Sequence, residues 1–212
     1  MVKINWVTHS DVGDQSMYVH DICMICESIV ILCKSILSSD YFGSFCNSFA
    51  TMFLPLFVSS IHRCKRIGEM GAQQLLLDTH GIKTLFLGLR EMGDSATSTN
   101  TNPTRRDPYL KRVDEEIKKA ESLLKLVSYP SDRLAQTFPV LWPEGTQDDL
   151  RALMALKGMK ATEQNAVLNN APLSSSSSSK NGNTKSLNPG KNKFFSNTFK
   201  TLESTKNLFS RR

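Results

Sequence analysis

The sequence predicts an all-α protein of stacked antiparallel helices, followed by a disordered basic C-terminal tail. Three observations lead there. Through residues 14–168, apolar side chains recur at spacings of three and four, the signature of helices with one buried face. No stretch of this body alternates strictly between apolar and polar over six or more residues, and no strand–helix–strand rhythm appears. Past Pro172 the composition changes abruptly, opening with six consecutive serines, Ser174 to Ser179. Such a tract cannot bury enough apolar surface to offset the entropy of ordering it. The expected organisation is therefore a helical domain over 1–171 and a tail over 172–212.

Residues 1–13 show no strong period. A first helix is expected over 14–37, with Met17, Ile22, Ile25, Ile29, Leu32 and Ile36 facing inward and Asp14 as its cap. Ser38-Ser39-Asp40 breaks the pattern, and Asp40 is placed to cap the second helix. Tyr41 to Ile61 carries no formal charge over 21 residues, enough to cross a bilayer by length. Phe42, Phe45, Phe49, Phe53 and Leu56 form a single stripe, with serine, threonine and asparagine between them, which favours a helix packed on a core over a membrane span. Pro55 is expected to kink it. The basic run Arg63-Cys64-Lys65-Arg66 precedes Gly68 and suits a helix C-terminus.

A third helix, expected over 69–90, is read as the most buried, with Ala72, Leu75, Thr79, Ile82, Phe86 and Leu89 on one stripe. Gly81 and Gly88 weaken its continuity. Met92 to Asp107 reads as a loop rich in Gly, Ser, Thr, Asn and Pro. The clearest helix follows, burying Leu110, Val113, Ile117, Ala120, Leu124 and Val127 and pairing Asp114–Lys118, Glu115–Lys119 and Glu121–Lys125 across one turn. Tyr129-Pro130 ends it. A short segment holds Leu134, Phe138, Leu141 and Trp142. Thr146 with Asp149 forms a capping box, opening a helix that buries Leu150, Leu153, Met154 and Leu156 and stops at Gly158. Thr162 is expected to cap a final helix through Leu168.

Charge divides along the same line. The 212 residues carry a net +6, but residues 172–212 alone hold eight basic groups and one acid. The body is almost neutral, with 18 basic and 19 acidic groups, which argues against a nucleic-acid-binding fold. Within the tail, Phe195, Phe199, Leu202 and Phe209 sit at spacings of four, three and seven among Lys193, Lys200, Lys206, Arg211 and Arg212. These nine residues are the candidate contact site. The pattern fits a basic amphipathic helix on an anionic membrane, a helix docked on a partner, or a tail free in solution.

Signals for catalysis are weak. Cys23-x-x-Cys26, with His20 before it, lacks the second ligand pair that a structural zinc site uses and the strand–helix setting of a redox pair. All five cysteines are odd in number and read as reduced, apolar core residues. Asp78 and His80 are two apart on a helix and point away from one another; His80 is expected to be a satisfied polar contact. No phosphate-binding glycine loop and no zinc-protease motif is present. No catalytic residue, cofactor or metal ligand is assigned.

Three stretches carry a family resemblance. They are Gly71-Ala72-Gln73-Gln74-Leu75-Leu76-Leu77-Asp78-Thr79 after Cys64-Lys65; Ala120-Glu121-Ser122-Leu123-Leu124-Lys125; and Phe138-Pro139-Val140-Leu141-Trp142-Pro143-Glu144-Gly145-Thr146 with Leu156-Lys157-Gly158-Met159-Lys160 and Glu163-Gln164. In this order, over residues 40–170, the chain resembles the C-terminal region of the vacuolar protein sorting fifty-three subunit of the Golgi-associated retrograde protein (GARP) tethering complex. The resemblance implies tandem α-helical bundles and a non-catalytic subunit, or C-terminal fragment of one, that helps capture endosome-derived vesicles at the trans-Golgi network. Members of the family are several times longer and join the other subunits through an N-terminal coiled coil that has no match here. Implied partners are the other subunits, with SNAREs, small GTPases and a membrane surface as further contacts, and no nucleic acid. The implied location is the cytosolic face of trans-Golgi and endosomal membranes, and the cytosol. The alternative from the residues themselves is a peripheral membrane or lipid-binding module acting through the basic tail.

Overall fold

A computed structural model describes residues 1, 4–9, 11–92 and 107–170. Among them the chain forms α1 (Met17–Ile36), α2 (Ser39–His62), α3 (Glu69–Gly88), α4 (Pro108–Ser128), α5 (Leu134–Leu141), α6 (Gln147–Lys157) and α7 (Ala161–Asn170), with a 3-10 turn at Ser131–Arg133 before α5. The all-α expectation holds. Residues 93–106 of the expected 92–107 loop and the expected tail over 172–212 lie outside the described residues, as do all nine candidate contact residues of the tail and the boundary at 171/172.

The organising helix is α4. It packs most extensively on α3, next on α2, and also contacts α5 and α6. Val113, Ile117, Ala120, Leu124 and Val127 are fully buried, as their spacing predicts, and Tyr109, Leu123 and Leu126 join them; Leu110 is only half-buried. The opposite face is charged. Asp114–Lys118 and Glu121–Lys125 pair as expected, whereas Lys119 turns to Glu116 at 2.5 Å instead of Glu115. The start of α4 is tied to the end of α3. Asp107 accepts a hydrogen bond from the Tyr109 amide at 2.8 Å and an ion pair from Arg90 at 2.5 Å, and the Tyr109 hydroxyl donates to the Phe86 carbonyl at 2.6 Å.

On α3 the whole expected stripe is buried, from Ala72 to Leu89, and the helix runs through Gly81 before ending at Gly88. On α2, Phe42 is buried, Phe45, Phe49 and Phe53 are half-buried, and Leu56 is exposed. The inward face is carried by Cys46, Ala50, Leu54, Phe57 and Ile61, rotated from the phenylalanine stripe. Phe49 and Phe53 still reach α3, each with its ring 5.3 Å from that of Phe86. By length and composition α2 qualifies to cross a membrane; in this structure it is a wall of the core.

Three expected caps are corrected. α1 starts at Met17 behind Ser16, not at Asp14, whose carbonyl is taken by Gln74. α2 starts at Ser39, so Asp40 lies inside its first turn. α7 starts at Ala161, which puts Thr162 inside it as well. The capping box of α6 is present, the Thr146 hydroxyl accepting from the Asp149 amide and the Asp149 carboxylate from the Thr146 amide, and Gly158 ends that helix at φ 81°.

The non-periodic N-terminus hides a structural anchor. Trp6 is 1% exposed and pairs with Ile67 in an isolated parallel bridge. The Gly68 amide donates to the Trp6 carbonyl, and a Cβ on Gly71 would lie 2.1 Å from that oxygen. Gly71→Ala should therefore destabilise the protein by about 1–3 kcal/mol or more through overpacking. Gly43, inside α2 with nothing within 4 Å of its would-be Cβ, should give the opposite sign. Gly43→Ala should stabilise by about 0.5–1 kcal/mol in urea unfolding.

Candidate interaction surface

The main correction concerns α1. The residues expected to face inward face solvent: Met17 is 74% exposed, Ile25 60%, Ile29 48%, Leu32 59% and Ile36 73%, with Ile22 half-buried. Val19, Cys26 and Val30 are inward instead. Periodicity did not distinguish the two faces, because Val19, Cys26, Val30, Cys33 and Leu37 form a second stripe at the same spacings. Two polar anchors decide between them.

The first anchor is on α3. Asp78 is fully buried. One carboxylate oxygen accepts from the Ser16 amide at 2.9 Å and from Gln74 at 3.4 Å; the other accepts from the Tyr18 hydroxyl at 2.6 Å. Gln74 in turn donates to the Asp14 carbonyl at 2.8 Å and accepts from the Gly13 amide at 3.0 Å. Buried carboxylates need such partners, because an unmatched one carries a large desolvation cost. Burial first, and then the bond and charge of Asp78, push the Tyr18 phenol far above its ordinary range, so it stays a donor. The second anchor is Lys34, which donates to the Arg90 and Met92 carbonyls at 3.2 and 2.9 Å. Clamped at both ends, α1 turns its small, sulfur-containing stripe inward and its large aliphatic stripe outward.

The result is an unpartnered ridge, Ile25, Ile29, Leu32 and Ile36 at spacings of four, three and four. Each such side chain left in water forgoes roughly 1.5–3 kcal/mol relative to full burial. Ridges of this kind mark contact sites. Asp21, one turn before Ile25, is exposed in line with the ridge, and Asp40 is exposed just beyond the helix.

The remaining sequence candidates are structural. The Cys23 and Cys26 thiols are pushed up from their ordinary pKa by burial, as are Cys46 and Cys64, which keeps them protonated and unreactive at neutral pH. Among the described residues, no group of three or more His, Cys, Asp or Glu is placed to hold a metal. His80 is exposed, while Asp78, two residues before it, is the buried hub. Its signal in the sequence was a carboxylate on the apolar face of a helix.

Family-motif residues likewise hold the fold together. Lys157 donates to the Val127 carbonyl at 2.8 Å and to that of Tyr129, closing the end of α4. Arg66 donates to the Gly158 carbonyl at 2.6 Å, and the Ile67 amide to that of Leu156 at 2.9 Å. A Cβ on Gly145 would meet the Phe138 ring at 2.5 Å. His62, at the end of α2, lines a small cleft with Leu123, Trp142, Asp149, Leu153 and Leu156, where burial pushes its pKa down to about 4.

Two measurements follow from these groups. Tyr18→Phe removes a partner from a buried carboxylate and should cost about 1–3 kcal/mol in denaturant unfolding. For His62, the folded value near 4 lies below the unfolded value of about 6.5. The unfolded chain therefore takes up the proton first on acidification, and stability is lost as pH falls from about 6.5 towards 4, at up to about 1.4 kcal/mol per pH unit. Urea titrations at pH 7 and pH 5 should show that loss in the native sequence and a smaller one in His62→Gln.

The chain matches the family described as "Vacuolar protein sorting-associated protein 53 C-terminus" over residues 73–159. It is 36% identical over 168 residues to vacuolar protein sorting-associated protein 53 A of Arabidopsis thaliana, covering 79% of this chain and 19% of that protein. It is 34% identical over 172 residues to the vacuolar protein sorting-associated protein 53 homolog of Caenorhabditis elegans, covering 79% of this chain and 21% of that protein. The chain thus spans about a fifth of the length of these relatives. No solved structure matches it.

Proposed function

Because the chain belongs to the vacuolar protein sorting-associated protein 53 family and carries its C-terminal region, we propose that it serves as a non-catalytic part of a vesicle-tethering complex of the GARP type. Its task is to hold other proteins rather than to transform a substrate. The observation that carries this reading is the family match over most of the chain. The fold is in keeping with it. Among the described residues, buried polar groups such as Asp78 clamp helices together, and α1 leaves an apolar ridge exposed. Stacked helices with exposed ridges bind through surfaces rather than pockets.

The finer assignment follows the family. The complex acts in retrograde transport from endosomes to the trans-Golgi network, and the chain resides on the cytosolic face of those membranes and in the cytosol. Its partners are the other tethering subunits, with SNAREs and small GTPases as transient contacts. A tagged chain captured from cells should bring the sibling tethering subunits with it. Their absence from the capture, with the helical circular-dichroism spectrum intact, would reject the assignment.

A second reading is favoured by one feature, the basic tail with its interleaved phenylalanines. It makes the chain a peripheral membrane module, whose attraction to anionic lipid weakens with salt.

A further inference from the structure

We propose that the tail segment 193–212 docks on the outer ridge of α1 in the same molecule. The ridge needs a cover of particular shape and charge, and the tail has both. On α1 the outward apolar residues Ile25, Ile29, Leu32 and Ile36 step by four, three and four. In the tail, Phe195, Phe199 and Leu202 step by four and three, and Phe209 follows seven later, with Lys206 at the intervening position. Two stripes of the same heptad pattern are what helix pairs interlock when they pack side by side.

Charge points the same way. Residues 11–41, which hold α1 and its flanks, carry Asp11, Asp14, Asp21, Glu27 and Asp40 against the single Lys34. Lys34 is turned inward onto the Arg90 and Met92 carbonyls. Residues 193–212 carry Lys193, Lys200, Lys206, Arg211 and Arg212 against the single Glu203. Of these carboxylates Asp21, one turn before Ile25, lies in line with the ridge, and the net negative charge of this stretch attracts a cationic amphipathic segment and repels an anionic lipid surface.

Chain length permits it. Residues 171–192 separate α7 from the docking segment. Their contour reaches up to about 70 Å, at roughly 3.3 Å per residue. The longest helix, α2, is about 36 Å long at 1.5 Å per residue. The segment therefore reaches any face of the domain. Because docking is intramolecular, even a weak contact is populated through its effective concentration.

The inference does not depend on the tethering assignment and is tested separately, by photo-crosslinking in the full chain. A benzophenone amino acid is placed at position 199, and the crosslinked peptides are mapped by mass spectrometry. Docking predicts intramolecular crosslinks within residues 17–36. Ile29→Glu or Leu32→Glu should reduce them about tenfold, since each puts a charge into the apolar seam, and raising salt to about 0.5 M should weaken them by screening. Both positions are exposed, so an unchanged circular-dichroism spectrum is expected for each variant. Crosslinks between molecules, growing with concentration, would overturn the proposal in favour of a second copy of the chain. Crosslinks to other helices, none at all, or crosslinks to α1 indifferent to both substitutions would overturn it outright.

Discussion

The seam between α3 and α4 is the constraint on which everything else in the domain leans. Both helices bury a continuous apolar face, and Ile82, Phe86, Val113, Ile117 and Leu124 are withdrawn from water completely. Neither face can be satisfied alone, because most helical stability in proteins comes from tertiary packing of the apolar face. Once joined, the pair supplies the surface on which α2, α5 and α6 settle. The polar contacts at its upper end, among Arg90, Asp107, Tyr109 and the Phe86 carbonyl, fix the register of the two helices across a stretch of chain that is far apart in sequence.

How much of this the sequence showed depended on whether a helix had one apolar face or two. For α4, charge and apolarity segregate cleanly, and the buried set was readable almost residue by residue. The same was true of α3 and of the Thr146–Asp149 box, where the chemistry is local. α1 was legible as a helix but not in rotation, since two stripes of equal period compete and long-range hydrogen bonds to Asp78 and Lys34 choose between them. Trp6 was invisible for a related reason. A single bridge to Ile67 leaves no period, and only the demand for a side-chain-free position at Gly71 betrays it.

The residues that carry the family likeness turn out to be the fasteners of the fold. Gln74 and Asp78 clamp the entry to α1, Gly145 makes room for the Phe138 ring, and Lys157 closes α4. That explains why the resemblance identified the architecture well and located no binding residue. A surface that recruits partners need keep only its apolar character, which many residue combinations supply, whereas a buried carboxylate with three donors tolerates few replacements. The α1 ridge is a consequence of the same fasteners: the clamp that secures the helix also determines which of its faces is left to others.

The central claim is that α4, held against α3, is the stabilising core, and that α1 is an added helix secured to it by the Asp78 and Lys34 anchors. Amide hydrogen exchange of the full chain tests it most directly, because each helix reports its own opening free energy. The account predicts the slowest exchange at the buried positions of α3 and α4, released only by global unfolding, and faster exchange through local opening in α1. Protection in α1 equal to that of α4, or loss of protection in α4 before the other helices, would contradict it.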